Sequence, residues 1–76
     1  METAMTYTIL IEKNERGDGW AALAPDLPGL LLIGATREAL LDDAAAAIAD
    51  YLDALRAEGL PIPEPSMHEL AMITVT

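Results

Sequence analysis

Seventy-six residues without a cysteine confine the chain to one small domain, 1–76, with neither disulfide staples nor thiolate metal ligands. Hydrophobic residues make up 53% of it, too many for a disordered segment, yet no uninterrupted apolar run is long enough to span a bilayer. Asp and Glu number 13 against 4 Lys and Arg, and the formal net charge of −9 repels phosphate backbones and anionic lipid while attracting basic partners. Direct nucleic-acid binding and membrane association are therefore not expected. The opening METAMTYT lacks the basic and apolar regions of a secretion signal, which makes the cytoplasm the expected location.

In TYTILIE, Tyr7, Ile9 and Ile11 alternate with Thr6, Thr8 and Leu10, a period of two that predicts a first strand over 6–12. KNERGDG follows, with Gly17 and Gly19 around Asp18, the composition of a hairpin loop. WAALA then returns antiparallel as a second strand. In APDLPG, Pro25 and Pro28 fix two φ angles and remove two backbone donors, so the strand stops and the chain turns. Leu30 to Ile33 form a third strand.

From Thr36 to Glu58 the period becomes helical, with Leu41, Ala44, Ala45, Ile48, Tyr51, Leu52 and Leu55 on one face and Asp42, Asp43, Asp50 and Asp53 opposite. Thr36 suits the N-cap, although Ala39 stands where a capping box wants Glu or Gln. Gly59 and Leu60 fit the end of a Schellman cap. Pro61, Pro63 and Pro65 then make a stiff extended connector, and AMITVT reads as a terminal strand. The order β-β-β-α-β predicts an α+β layer, a four-stranded mixed sheet with one helix on one face and, from the crossover before the last strand, the strand order 3-2-1-4.

A single helix covers one face of such a sheet, while Leu30, Leu31, Leu32 and Ile33 run without a polar break. A strand that is apolar on both faces points to an interface, so these residues are the expected self-association strand of a homodimer or tetramer.

Catalytic chemistry is hard to assemble from these residues. His68 is the only histidine and, taken to have no serine nucleophile, cysteine or second histidine nearby, is expected to be structural. The helix carboxylates are spaced outward rather than towards a shared metal, and neither a phosphate-binding glycine loop nor a dinucleotide fingerprint is present. No catalytic residue, metal site or cofactor is expected. Trp20, beside an acidic glycine loop, is of the residue type that anchors protein interfaces.

The chain resembles the HicB-like antitoxins of bacterial toxin-antitoxin systems. The likeness lies in the strand beginning at Tyr7, Gly19-Trp20-Ala22, PDLPG over 25–29, Gly34 and Thr36 before the helix, Ala44, Ala47 and Ile48 within it, and GLPIPEPS over 59–66. It implies a partial ribonuclease-H-like β-β-β-α-β domain that has lost catalysis and masks a small basic HicA-like messenger-RNA interferase toxin, in complexes built on antitoxin dimers or tetramers. After PDLPG the family usually continues with a small or polar residue, whereas four aliphatics stand here. Many members also carry a DNA-binding module, for which the residues after Ser66 leave no room.

The expected partner-facing residues are Asp18, Trp20, Asp26 and Leu27, with Asp26 the exposed acid of the DLPG corner. Two alternatives stand beside the antitoxin: an oligomeric scaffold without a toxin, which a basic reading frame beside the gene would argue against, and a metal-dependent nuclease, which would need its carboxylates to converge on a divalent ion.

Overall fold

The computed structural model describes residues 4–76; residues 1–3, the start of the stretch read above for a secretion signal, lie outside the described residues. Three strands, β1 (Leu10–Lys13), β2 (Trp20–Leu23) and β3 (Leu31–Gly34), form an antiparallel meander in the order β1-β2-β3, followed by one helix, α1 (Arg37–Ala57). The first strand begins later than its alternation suggests, because the ladder opens only at Leu10, opposite Leu23.

Register decides which side chains become core. Leu10, Leu23 and Leu31 stand in one cross-strand row, and Ile11, Ala22 and Leu32 in the next. Successive side chains along a strand alternate faces, so the second row meets the helix and the first turns away. Ala22 and Leu32 pack with Leu40 and Ala44 of α1, joined by Ile9, Ile11, Trp20 and Leu30. A second cluster of Ala24, Leu27 and Leu52 gathers Tyr7, Ile48, Tyr51, Leu55 and Ile62 at the other end. On the outer face Leu10, Leu23, Leu31 and Ile33 stay exposed.

The helix begins where its sequence indicates. Thr36 is extended (φ −132°, ψ 164°), and its hydroxyl accepts from the Ala39 N–H at 3.0 Å, satisfying one of the orphan donors of the first turn. At the far end the Leu60 N–H reaches the Leu55 carbonyl at 2.9 Å and the Gly59 N–H that of Arg56 at 3.1 Å, the bond pair of a Schellman cap. The buried stripe runs through Leu40, Ala44, Ala47, Ile48, Tyr51, Leu52 and Leu55. The periodic face expected from Leu41 and Ala45 is therefore rotated: Leu40 is 1% exposed and Leu41 38%. Both leucines are apolar, and only the entry angle from β3 chooses between them. Gly34 sets that angle, since a Cβ there would lie 2.7 Å from the Leu40 backbone nitrogen.

The expected four-stranded mixed sheet in the order 3-2-1-4 is not formed: the described sheet has three strands, all antiparallel, and AMITVT is in no strand. The four-stranded arrangement implied by the ribonuclease-H-like resemblance is corrected with it. The reason lies in the proline connector. Ile62 is drawn into the second cluster, the Pro63 carbonyl accepts from the Tyr7 hydroxyl, and Ser66 and His68 are tied to Asp26. Beyond that tie Leu70, Met72, Ile73 and Val75 are 81–98% exposed. They lengthen the molecule to 47 × 28 × 22 Å with a Cα radius of gyration of 14.4 Å, against roughly 11 Å for a compact domain of this length.

Candidate partner-binding surface

The PDLPG corner is built from two consecutive turns. The Leu27 N–H donates to the Ala24 carbonyl at 3.0 Å and the Leu30 N–H to the Leu27 carbonyl at 3.2 Å. Gly29 between them has φ +86°, a value that side-chain-bearing residues adopt only with strain. From α1, the Tyr51 hydroxyl donates to the Pro28 carbonyl at 2.7 Å. The corner is thus braced against the helix and held rigid.

Asp26 is the acceptor at the centre of this corner. Its carboxylate takes the Ser66 N–H at 2.8 Å and the Ser66 hydroxyl at 2.5 Å, with the His68 Nε2 at 3.1 Å. The side chain keeps 15% of its accessible surface. The Ser66 hydroxyl, then the Ser66 N–H and His68, lower the Asp26 pKa from 3.8 to about 2, because each stabilises the charged form. PDLPG and IPEPS, 40 positions apart in sequence, are therefore one structural unit. Asp26 belongs to one of them and Ser66 to the other.

A serine, a histidine and an aspartate in mutual contact invite comparison with a nucleophile–base relay. The geometry differs from one. In a relay the aspartate orients the ring nitrogen that does not face the serine; here one nitrogen, Nε2, faces both Asp26 and, at 3.4 Å, the Ser66 Oγ, while the serine donates its proton directly to the carboxylate. The histidine is left no serine proton to take, and the cluster acts as a clasp.

The expected partner-facing residues are not brought together. Asp18 is exposed on the β1–β2 loop, and Trp20, at the start of β2, is half-buried against the first core cluster. Asp26 lies beyond the other end of β2 with its carboxylate already engaged. Leu27 is 0% exposed and presents nothing to a partner. Of the expected self-association residues, Leu31 and Ile33 face outward at 55% and 69% exposure, whereas Leu32 is buried and Leu30 packs into both core clusters.

Exposed acids crowd α1 and its C-cap: Glu38, Asp42, Asp43, Asp50 and Asp53 lie on the helix and Glu58 caps it, all exposed. Among the described residues Arg56–Asp53 at 3.0 Å is an ion pair and His68–Asp26 is one only when the imidazole is charged, so Asp42, Asp43 and Asp50 have no basic partner there. No group of three or more potential ligand side chains gathers around a metal-sized space among the described residues. No described helix is long and apolar enough to cross a membrane.

A family model described as the HicB_like antitoxin of bacterial toxin-antitoxin systems matches residues 7–74. The chain belongs to that family. The match takes in both halves of the clasp, the helix and nearly all of the extended tail of this HicB-like antitoxin. No curated protein and no solved structure matches the chain.

Sequence reasoning missed the clasp. His68 was read as lacking a nearby serine although Ser66 stands two residues before it, and as lacking an acid because Asp26 is 42 residues away; the available signal was chemical, an aspartate beside Pro25 in one motif and a serine beside Pro65 in the other.

Proposed function

We propose that this HicB-like antitoxin neutralises a small basic messenger-RNA interferase of the HicA-like kind by covering the surface with which the toxin holds and cuts RNA. The observation that carries the reading, beside family membership, is the row of unpaired carboxylates on α1, since a protein that grips phosphate must be basic where it does so. Asp42, Asp43 and Asp50 present to that surface the charge that RNA would. Asp18 on the hairpin loop extends the acidic surface, and Trp20 beside it offers an aromatic edge. Asp26 contributes through the rigidity of the corner rather than by its own charge. The mode is occlusion, so the chain itself needs no catalytic group, and a toxin that cuts messenger RNA places the pair in the cytoplasm.

A second reading, an oligomeric scaffold without a toxin, is favoured by one observation, the outer row of Leu10, Leu23, Leu31 and Ile33 left bare by the single helix. Exposed apolar patches of this kind mark interfaces.

The test is the kinetics of binding to a basic protein encoded beside the gene. Replacing Asp42, Asp43 and Asp50 together by Asn should slow association and flatten its dependence on salt, because exposed charges beyond the Debye length of about 8 Å at physiological ionic strength are screened. Association that ignores both salt and the triple change would defeat the charge-masking reading.

A further inference from the structure

The apolar arc of α1 is wider than the sheet beneath it. The helix lies over β2 and β3 and is offset from β1. Its flank on the β1 side, next to the buried stripe at about 100° per residue, carries Leu41, Ala45 and Ala49, all exposed. Between this flank and the segment leading into β1 runs an open groove of about 950 Å³, whose apolar lining comes from Met5, Tyr7, Ala45, Ile48, Ala49 and Leu52. The ladder of β1 stops at Leu10, so the backbone of residues 5–9 borders the groove from outside the sheet.

The same chain carries a segment of matching chemistry that touches nothing. Added as a strand, residues 70–75 would set Leu70 and Met72 on one face and Ala71, Ile73 and Val75 on the other, by the strand period of two. Val and Ile favour the extended state, and exposure of 81–98% at Leu70, Met72, Ile73 and Val75 leaves both sides of the segment bare. The clasp of Ser66 and His68 on Asp26 anchors the base of the tail at the DLPG corner and leaves the tail clear of the chain's own groove.

We infer that the groove between α1 and residues 5–7 receives residues 70–75 of a second copy of this chain, reciprocally, in a two-fold dimer. Three features favour this occupant. Lengths agree: six extended residues span about 20 Å, and the helix flank from Ala45 to Arg56 about 17 Å. Charge permits it: two chains of net charge −9 repel over most of their surfaces, but residues 70–75 carry no charge, and the groove's ionic lining, Asp53 and Arg56, is already paired. Symmetry closes it, because each copy offers one tail and one groove, and reciprocal insertion leaves neither unfilled. The free backbone of residues 5–9 offers hydrogen bonds to an added extended segment. The inference does not depend on the toxin reading.

The chain has no cysteine, which makes the test clean. Ala49→Cys and Met72→Cys, each prepared alone in the full chain and then mixed under oxidising conditions, should form a disulfide-linked heterodimer. A mixture of Leu31→Cys, on the outer sheet face, with Met72→Cys should form far less. In parallel, Met72→Lys/Ile73→Lys changes only side chains that touch nothing in a single copy, so the domain stays folded by circular dichroism. Light scattering should then show the mass falling from twice 8.1 kDa to that value. An unmodified chain that is monomeric at micromolar concentration, a double variant that keeps the dimer mass, or cross-linking that favours Leu31 over Ala49 would each overturn the assignment.

Discussion

A single methyl group added at Gly34 should destabilise the fold through a clash that the structure locates. The new Cβ would stand 2.7 Å from the Leu40 nitrogen, 2.8 Å from its Cα and 2.9 Å from its Cβ. Comfortable carbon–carbon separations are about 3.5–4.0 Å, so the first turn of α1 would have to withdraw by roughly 0.7–1 Å. Leu40 is 1% exposed and packs against Ala22, Leu32 and Ala44, so withdrawal loosens the first core cluster. Overpacking of this kind costs about 1–3 kcal/mol. The loss of unfolded-chain entropy returns about 0.4–1 kcal/mol, leaving a net loss between about 0 and 2.6 kcal/mol and centred on about 1.3 kcal/mol. For a domain of this size the central value is a fall in Tm of roughly 5–10 °C. Gly17→Ala is the matched control, because its nearest neighbour is the Asn14 amide nitrogen at 3.9 Å; the entropy term acts there alone and stability should hold or rise slightly. Thermal unfolding followed by circular dichroism at one fixed protein concentration reads both variants. A Gly34→Ala protein as stable as Gly17→Ala would refute the close-approach argument.

Leu27→Ala empties a fully buried site in the second cluster and should cost about 2–5 kcal/mol, measured by urea unfolding, with an exposed-site control at Leu23→Ala changing little. Asp26 binds fewer protons in the folded chain than in the unfolded one between its lowered pKa of about 2 and the ordinary 3.8. The stability it contributes is therefore present above pH 3.8 and lost as pH falls towards 2. Asp26→Asn should flatten that part of a stability–pH curve, and an acid limb identical to that of the parent chain would show the clasp to be idle. Ile33→Lys on the outer sheet face, 69% exposed, should leave the fold intact and reduce any assembly larger than a dimer, as read by light scattering. Unchanged assembly would remove the outer face from consideration.

The hairpins, the helix and both of its caps were legible because local chemistry specifies them: glycines in the hairpin loop, prolines at the corner, a threonine N-cap and a Schellman ending; the alternation from Tyr7 to Ile11 overlaps β1 only at Leu10 and Ile11. Features set by distant contacts were not. Leu40 and Leu41 are indistinguishable to a periodic reading, and a close approach at Gly34 selects between them. AMITVT has the composition of a strand, but strand composition does not say where an edge is available, and the clasp on Asp26 anchors the segment away from the sheet. Leu27 was expected among the partner-facing residues, yet its side chain is 0% exposed and packs with Ala24 and Leu52. The acidic stripe was visible as a pattern; that Asp42, Asp43 and Asp50 lack basic partners among the described residues needed coordinates. Asp26 stood out in the sequence as the acid of the corner; that Ser66 and His68 of the same chain engage its carboxylate needed coordinates.

In the proposed function this chain silences a basic ribonuclease by covering it. The most direct measurement is messenger-RNA cleavage by the purified basic protein encoded beside the gene, with the folded chain titrated against it. Cleavage should fall to background once the chain reaches stoichiometric amounts, and the Asp42, Asp43 and Asp50 to Asn variant should need a larger excess to reach the same end. A toxin that cuts RNA at an undiminished rate in the presence of excess folded chain would contradict the account.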